Sequence, residues 1–242
     1  MNTEHRRIVV GGLQVQILRK AIKNLHLGVY PPNGRIRVAA PLAVSDHAVR
    51  LAVIHKLGWI KRQRARFIDQ ARQPQRELVS GETHYFLGRR YRLNVVEHPG
   101  PGRVLLRSRT RLELWIQPGS TASARDRVLQ RWYRDRLREL VPPILAKWEP
   151  AIGVHAADWR IRKMKTKWGA CSVDASRIWL NLELAKKPAR CLEYLVVHEL
   201  VHLIERRHND RFLRLMDTHL PMWRQRRDEL NSEPLAQANW SY

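Results

Sequence analysis

The stretch between residues 189 and 206 constrains the fold more than any other part of this 242-residue chain. Its apolar side chains occur on every side of a helix rather than along one stripe; they are Leu192, Leu195, Val196, Val197, Leu200, Val201, Leu203 and Ile204. A helix that is hydrophobic all round lies inside a domain. Pro188 stands where such a helix begins. The sequence therefore predicts a central buried helix with a domain built around it.

Three polar residues interrupt this apolar segment at positions that suit a metal ion. His198, Glu199 and His202 form the pattern H-E-x-x-H. Residues four apart lie on one helical face, so both imidazoles can bind one cation such as Zn²⁺. Glu199 is rotated by about 100° from His198, which lets it hydrogen-bond a water molecule and act as a general base. Burying these groups without partners would be costly, and this favours a metal site.

A zinc site of this kind needs a third ligand, and His208 is the first candidate. A continued helix would turn His208 about 120° away from the other two rings, so the helix is expected to end between residues 205 and 208. Asn209 can cap the next helix. Glu205 and Asp217 are the alternative third ligands.

The first half of the chain alternates apolar and polar residues, which predicts strands. A β-meander is expected within residues 13–40, with a turn at residues 31–34. Ser45 is a good N-cap for one long helix over about residues 46–72. Strands return over residues 84–116, where they form a second small sheet or extend the first. The sequence shows no internal repeat.

The second half begins with a helical pattern that Pro142 and Pro143 should kink. Two strands are expected within residues 158–184, before the buried helix. Two shorter helices are expected after it, over about residues 209–218 and 221–230. The order of elements predicts an α+β fold, in which the buried metal-binding helix lies beside a small sheet.

We expect three parts along the chain. Residues 1–122 form a β-rich N-terminal part with one long basic helix, and residues 123–231 form a zincin-like catalytic domain. Residues 232–242 are expected to be a flexible tail. Whether the N-terminal part is a separable domain stays open at this point, because its strands could pack directly against the catalytic part.

The chain is strongly basic, with a net charge of +23 when histidines are neutral. Residues 1–120 carry +15 of this charge and residues 121–242 carry +8. Such a charge favours polyanions, so nucleic acid or a nucleotide is a candidate partner. The alternative is that these side chains form solvated faces, since Arg outnumbers Lys 35 to 10, as base composition alone can produce. The basic run at residues 61–66 has the same two interpretations, and no base-reading module is recognisable.

Composition also excludes some classes of protein. Polar residues break every apolar run before it reaches the length of a membrane-spanning helix, and no secretory signal is visible. Cys171 and Cys191 allow at most one disulfide, which suits a reducing compartment. The expected location is therefore cytoplasmic. Cys171 could add a fourth metal ligand and make the site structural, whereas Cys191 is expected to pack in the core.

Several motifs together give the chain a family resemblance. They are KTKWGACS at residues 165–172, IWLN at residues 178–181, YLVVHELVHL at residues 194–203, and Arg207-His208-Asn209 followed by Phe212 and Pro221. With these motifs the chain resembles the YgjP-like metallopeptidase-domain family, which is related to the SprT-like zinc proteases. The resemblance covers most of the chain and implies that His198, His202 and His208 bind zinc and that Glu199 is the base. A YgjP-like protein has also been linked to pyrophosphate release from UTP, so the resemblance leaves the substrate open.

Three residues are candidates for substrate binding, namely Lys165, Trp168 and Asn181. The strand over residues 177–184 could hold an extended peptide at a sheet edge, with Asn181 near the cleft, or it could be an ordinary internal strand. Trp168 and the lysines around it, including Lys165, could line an aromatic or anionic subsite; the alternative is that Trp168 anchors the core. Tyr194, one turn before the first histidine, could support the site but is expected to serve the core.

These patterns favour a zinc-dependent metallohydrolase. The first interpretation is a peptidase with three histidine ligands and a glutamate base, with proteins bound to nucleic acid among its candidate substrates. The first alternative is a metal-dependent UTP pyrophosphatase, which the basic surface and the lysines near the cleft would suit. The second alternative is a binding module with a structural zinc ion.

Overall fold

The computed structural model describes residues 5–30, 34–69, 77–164 and 167–232. The described residues divide into two compact units, one in residues 5–69 and the other in residues 77–232. This division differs from the boundary expected at residue 122. The strands over residues 83–116 share one hydrophobic core with the helices that follow them, whereas the earlier strands have a core of their own. The expected tail lies outside the described residues, apart from Ser232.

The first unit contains four strands and two helices. They are β1 (His5–Val10), β2 (Leu13–Lys20), β3 (His26–Tyr30), β4 (Arg35–Pro41), α1 (Asp46–His55) and α2 (Leu57–Asp69). The strand order is β1-β2-β4-β3, and β2 pairs with β4 in parallel between two antiparallel pairs. The expected meander is therefore wrong. β2 and β4 carry the most buried side chains of the sheet and take its two central positions.

The helices of the first unit cover one face of this sheet. Ser45 caps α1, as expected, by accepting the backbone N–H of Ala48 at 3.2 Å. The single helix expected over residues 46–72 is two helices instead, because the backbone at Lys56 leaves the helical region with φ −101° and ψ 5°; its last three residues lie outside the described part. The core beneath the helices consists mainly of Val15, Ile17, Ile36, Val38, Val49, Val53 and Ile60.

The second unit begins with a sheet of the same topology as the first. Its strands are β5 (Thr83–Phe86), β6 (Arg89–Glu97), β7 (Arg103–Leu106) and β8 (Arg111–Ile116). Their order is β5-β6-β8-β7, again with a parallel central pair between two antiparallel pairs. In both units a two-residue turn joins the first two strands, and a helix follows the fourth strand. The sheets thus form a structural repeat, although the sequence shows none.

One long helix, α3 (Ala122–Ile152), covers the inner face of this second sheet. Thr121 caps it by accepting the backbone N–H of Ala124 at 3.2 Å. The helix continues through Pro142 and Pro143 as one element. Its buried stripe consists of Leu129, Tyr133, Leu137, Val141, Leu145, Trp148 and Ile152. These side chains join the sheet and the C-terminal helices in one core.

A third sheet and three helices complete the second unit. They are β9 (Asp158–Arg162), β10 (Gly169–Ser172), β11 (Arg177–Asn181), a 3₁₀ turn (Leu182–Lys186), α4 (Ala189–Val201), α5 (Asp210–His219) and α6 (Trp223–Ser232). β11 lies between β10, which is antiparallel to it, and β9, which is parallel. It is therefore an internal strand and not the edge strand considered from the sequence. Ile178 and Leu180 explain this position, since both side chains are fully buried.

The protein thus has the expected α+β fold, with six α-helices and three mixed sheets in the described ranges. α4 is the central helix, and nine of its side chains are buried. None of the helices in the described ranges has both the length and the apolar character needed to cross a membrane. The more specific zincin-like arrangement stays a prediction.

Candidate metal centre

Three histidine side chains meet at the C-terminal end of α4. Among the described residues, His198, His202 and His208 form a group whose ligand atoms all lie within 4.8 Å of one another. Nε2 of His198 is 3.1 Å from Nε2 of His208. Two nitrogens bound tetrahedrally at about 2.0–2.1 Å from zinc are about 3.3 Å apart. The spacing therefore fits one small divalent cation.

The backbone after α4 turns back and carries His208 to the other two rings. α4 ends at Val201, earlier than the expected break between residues 205 and 208. The backbone N–H of Leu203 donates to the carbonyl of Leu200 at 3.0 Å, and the following residue repeats this tight turn. The early end matters because a continued helix would have carried His208 away from the cluster.

α5 begins directly after this turn and places an aromatic ring under the histidines. Asn209 caps α5, as expected, by accepting the backbone N–H of Phe212 at 3.1 Å. The Phe212 ring is 99% buried, and its centroid lies 4.7 to 5.0 Å from those of His198, His202 and His208. One buried phenyl ring thus fixes the inner wall of the cluster.

The outer nitrogens of two histidines already have hydrogen-bond partners. Nδ1 of His202 lies 3.0 Å from the backbone carbonyl oxygen of Glu205, which can only accept, so Nδ1 carries the proton and donates. Nδ1 of His198 lies 3.4 Å from the hydroxyl of Tyr194. Because Nδ1 of these two rings is engaged, Nε2 is the nitrogen that each of the two offers to a metal. A histidine ligand usually has this arrangement.

The surroundings keep the imidazoles of His198 and His202 neutral, as metal binding requires. Burial, together with the charges that His202 and His208 would carry, lowers the pKa of His198 to about 3. Burial also lowers the pKa of His202, and the Glu205 carbonyl only partly opposes this shift. Neutral imidazole is the ligand form, so the donor set suits zinc and related divalent cations.

Glu199 lies beside the cluster with its carboxylate in the interior. The residue is 4% exposed, and burial raises the pKa of its carboxyl group to about 8, while the positive charge of Lys167 opposes the rise. Gly169 of β10 makes room for it, because a β-carbon there would lie 2.3 Å from Oε1 of Glu199. The carboxylate therefore rests against the β10 backbone, and its residue directly follows the first histidine in α4.

The two carboxylates considered as alternative third ligands, those of Glu205 and Asp217, have other hydrogen-bond partners. The carboxylate of Glu205 accepts the backbone N–H of Arg207 at 3.0 Å. Asp217 accepts the indole N–H of Trp223 at 2.8 Å and also pairs with Arg224.

Cys171 lies on β10 outside the histidine group, and burial with the nearby Glu199 carboxylate raises the pKa of its thiol to about 11. Because its sulfur is not among the ligand atoms that lie within 4.8 Å of one another, Cys171 is not placed to bind the same ion. This favours His208 as the third ligand and leaves one coordination position open to solvent or substrate.

Comparison with known proteins agrees with the resemblance seen in the sequence. The model of the YgjP-like metallopeptidase domain matches residues 23–233. The chain belongs to this family. Membership supports a metal-dependent hydrolase that acts on proteins or peptides, and nothing in the comparisons supports a nucleic-acid partner.

Curated protein sequences give no match to this YgjP-like protein. A similar solved structure is the metallopeptidase zymogen of abylysin from Pyrococcus abyssi. It is 19% identical in sequence and has a TM-score of 0.34, over 40% of this chain and 99% of that one. No correspondence between individual residues follows from so distant a likeness.

The residues expected to bind substrate have different places in the YgjP-like structure. Asn181 is fully buried, and its amide donates to the backbone carbonyls of Met164 at 2.8 Å and Lys167 at 2.7 Å. It therefore holds the loop before β10 and does not face a cleft. The indole N–H of Trp168 donates to Asn231 at 3.2 Å, and its half-buried ring packs against the core. Lys165 lies outside the described residues.

Sequence reasoning missed the closest neighbours of the histidines and of Glu199. Phe212 was noticed only as part of a motif, although its spacing from Asn209 places it in the first turn of α5, directly after the third histidine. Gly169 gave no signal of its role, because it approaches Glu199 from a different strand, 30 positions away. Tyr194 was expected mainly in the core, and it does stack against Trp223 with a centroid distance of 6.5 Å while its hydroxyl reaches His198.

Proposed function

We propose that this protein is a zinc-dependent peptidase in which His198, His202 and His208 bind the metal and Glu199 is the general base. The observation that carries the proposal is the convergence of three imidazoles on the helix that also carries a buried glutamate. Family membership supports the same reaction class. A structural zinc site would have four protein ligands, whereas the group here has three.

The chemistry divides between the metal and Glu199. A zinc ion in this donor set supplies Lewis acidity, which polarises a carbonyl group and makes a bound water molecule more acidic. Glu199 accepts the proton of the attacking water and then delivers it to the amine that leaves the cleaved peptide. Burial raises the pKa of its carboxyl group, and a carboxylate of higher pKa is a stronger base once it is ionised.

β10 is the strand that can align an extended peptide. It pairs with β11 along one edge, and it lies at the margin of its sheet. Gly169 of this strand also touches Glu199. A peptide that added to the free edge of β10 would therefore run past the general base, held by backbone hydrogen bonds. We assign peptide alignment to β10, in place of the strand over residues 177–184.

Replacement of Glu199 by glutamine tests the proposal. The variant should bind the metal in full stoichiometry and lose casein hydrolysis by a factor of about 100 to 10,000, the usual contribution of a general base. Glu139→Gln is the matched control, because Glu139 lies on the exposed side of α3 and pairs with Arg136. Activity that survives Glu199→Gln would refute the assigned base.

A parallel assay with UTP separates the peptidase from the pyrophosphatase alternative. The proposal expects casein hydrolysis by the wild-type protein and no release of pyrophosphate. Pyrophosphate release that is lost in Glu199→Gln, without casein hydrolysis, would replace the peptidase by a nucleotide hydrolase at the same site. A protein that binds zinc and hydrolyses neither substrate would support the structural-zinc alternative.

A further inference from the structure

The first two sheets each pack one face against helices, and among the described residues the side chains of the other face, termed the outer face, lie outside the two core clusters. In the second sheet the inward residues belong to the main core, whereas Tyr85, Val96, Leu105 and Trp115 of the opposite face do not. The strand register places the outward residues of neighbouring strands side by side. Each sheet therefore offers a surface four strands wide, which is about 15–20 Å across.

The outer face of the second sheet combines arginines with aromatic rings. Arg92 of β6 lies directly beside Arg111 of β8, and both are exposed. Arg103 of β7 lies beside Trp115 of β8, and its guanidinium stands over the indole at 4.6 Å. Arg90 lies beside Tyr85 at the other end of the sheet. A guanidinium stacked on an indole forms a flat surface that carries a positive charge.

The acidic residue on this face is already engaged. The carboxylate of Glu113 accepts the guanidinium N–H of Arg107 at 2.8 Å and the indole N–H of Trp115 at 2.9 Å. These bonds orient the Trp115 ring and leave the positive charge of the other arginines on the face uncompensated by Glu113.

A hollow of roughly 580 Å³ adjoins the arginine pair. Its lining consists of Ser80, Gly81, Arg92, Leu93, Asn94, Thr110 and Arg111. Cavities of about 300–1,000 Å³ accommodate small organic groups, so a nucleotide unit fits this one in size. Two guanidinium groups at its rim can bind a phosphate by paired hydrogen bonds.

The outer face of the first sheet repeats this chemistry on different residues. Tyr30 of β3 and Arg37 of β4 lie on it, and the guanidinium stands 5.6 Å from the centroid of the phenol ring. The ring lies over Gly28, where a β-carbon would come within 2.7 Å of it. Arg35 pairs with Tyr30 across the strands, and Arg7 lies opposite Gln16. The structural repeat therefore includes an arginine–aromatic pair on the same face of each sheet.

We propose that these two outer faces, termed the sheet faces, bind single-stranded nucleic acid. Arginines along a sheet can bind successive phosphates, and rings or guanidinium planes between them can stack against unpaired bases. A face four strands wide is too broad to enter the major groove of a duplex, which is about 12 Å wide, so the faces favour single strands over double strands. Binding does not depend on the histidine cluster, and it adds a partner beyond the proposed peptidase activity.

Charge-matched variants of the full chain test the proposal. The second-face variant carries Arg90→Gln, Arg92→Gln and Arg111→Gln. The first-face variant carries Arg7→Gln, Arg35→Gln and Arg37→Gln. The control variant carries Arg127→Gln, Arg131→Gln and Arg138→Gln on the exposed side of α3. All three lose the same charge, so the comparison separates a specific face from net charge.

Binding is measured by fluorescence anisotropy with a labelled oligothymidine of about 20 nucleotides, titrated at several salt concentrations. Each face variant should bind at least tenfold more weakly than wild type, and the slope of log affinity against log salt should fall by about 2, since each phosphate contact to a single strand contributes about 0.7. The control variant should change the affinity by less than threefold. Equal losses in all three variants would overturn the proposal.

Trp115 supplies a second test that does not involve charge. Trp115→Leu should weaken oligothymidine binding about tenfold, the usual effect of losing one stacked base, and should leave heparin binding unchanged. Trp115→Phe should restore most of the affinity. Equal effects of Trp115→Leu on both polymers would refute base stacking. Tighter binding to vesicles of phosphatidylserine and phosphatidylcholine than to oligothymidine, lost in the face variants, would assign the faces to membranes instead.

Discussion

Gly169 leaves the space that the carboxylate of Glu199 occupies, so its replacement by alanine tests the arrangement of the site directly. A β-carbon at this position would lie 2.3 Å from Oε1 of Glu199 and 2.9 Å from its carboxyl carbon. Non-bonded atoms need about 3.5 Å, so the carboxylate must retreat by about 1 Å. A displacement of about that size in a catalytic group lowers the rate about 100-fold, or about 2.7 kcal/mol of activation free energy.

Gly169→Ala should therefore keep its metal and lose about 100-fold in kcat for casein. Metal stoichiometry and circular dichroism establish that the variant is folded and loaded, since the three atoms nearest to the new methyl group all belong to Glu199. Gly58→Ala on α2 is the matched control, since its methyl group would meet Arg62 at an ordinary 3.6 Å. A Gly169→Ala enzyme with wild-type kcat would refute the role given to the Glu199 position, and so would one whose sole defect is metal loss.

Other predictions concern the ligands and their support. His208→Ala should lower the bound metal well below one equivalent by elemental analysis, and full stoichiometry would reject His208 as the third ligand. Tyr194→Phe should weaken metal affinity about tenfold in a chelator competition, because the outer nitrogen of His198 loses its partner; unchanged affinity would make Tyr194 a core residue only. Asn181→Ala should lower the free energy of unfolding by about 1–3 kcal/mol in urea titrations, since two loop carbonyls lose their donors; no loss would contradict its role in the loop. In the metal-free protein, burial lowers the pKa of His198 to about 3 from an ordinary 6.5, so the unfolded state binds more protons between these values. Stability should therefore be complete above pH 6.5 and fall as the pH decreases toward 3, and His198→Gln should flatten this dependence in thermal melts.

The sequence predicted the features that depend on residues close together in the chain. The buried helix was visible because its apolar residues leave no polar side. The spacing of His198 and His202 places two rings on one face whatever surrounds them. The caps at Ser45 and Asn209 could also be predicted, because a cap depends on a hydrogen bond over three residues.

Contacts between distant segments could not be predicted in the same way. Parallel pairing of β2 with β4 requires knowing that β1 occupies the other edge of β2, and β1 itself has a weak alternating pattern. The position of β11 inside its sheet likewise depends on two partners that lie before it in the chain. The approach of Gly169 to Glu199 follows from the packing of β10 on α4, which no spacing in the sequence encodes.

The structural repeat shows the same limit. Both sheets alternate apolar and polar residues, but that alternation is common to all half-buried strands and does not distinguish one topology from another. The shared strand order became visible only when the partners of each strand were known. Residue types agree at few positions, so the repeat is one of architecture and of the arginine–aromatic pairs on the sheet faces.

All three imidazoles belong to one short stretch of chain, and the first and last are ten residues apart. Closing so short a loop costs little conformational entropy compared with joining distant segments. A cation held there would fasten the end of one helix to the start of the next without help from either four-stranded sheet. Its three ligands would thus come from one turn of chain above a single buried phenyl ring, with no ligand from the sheets.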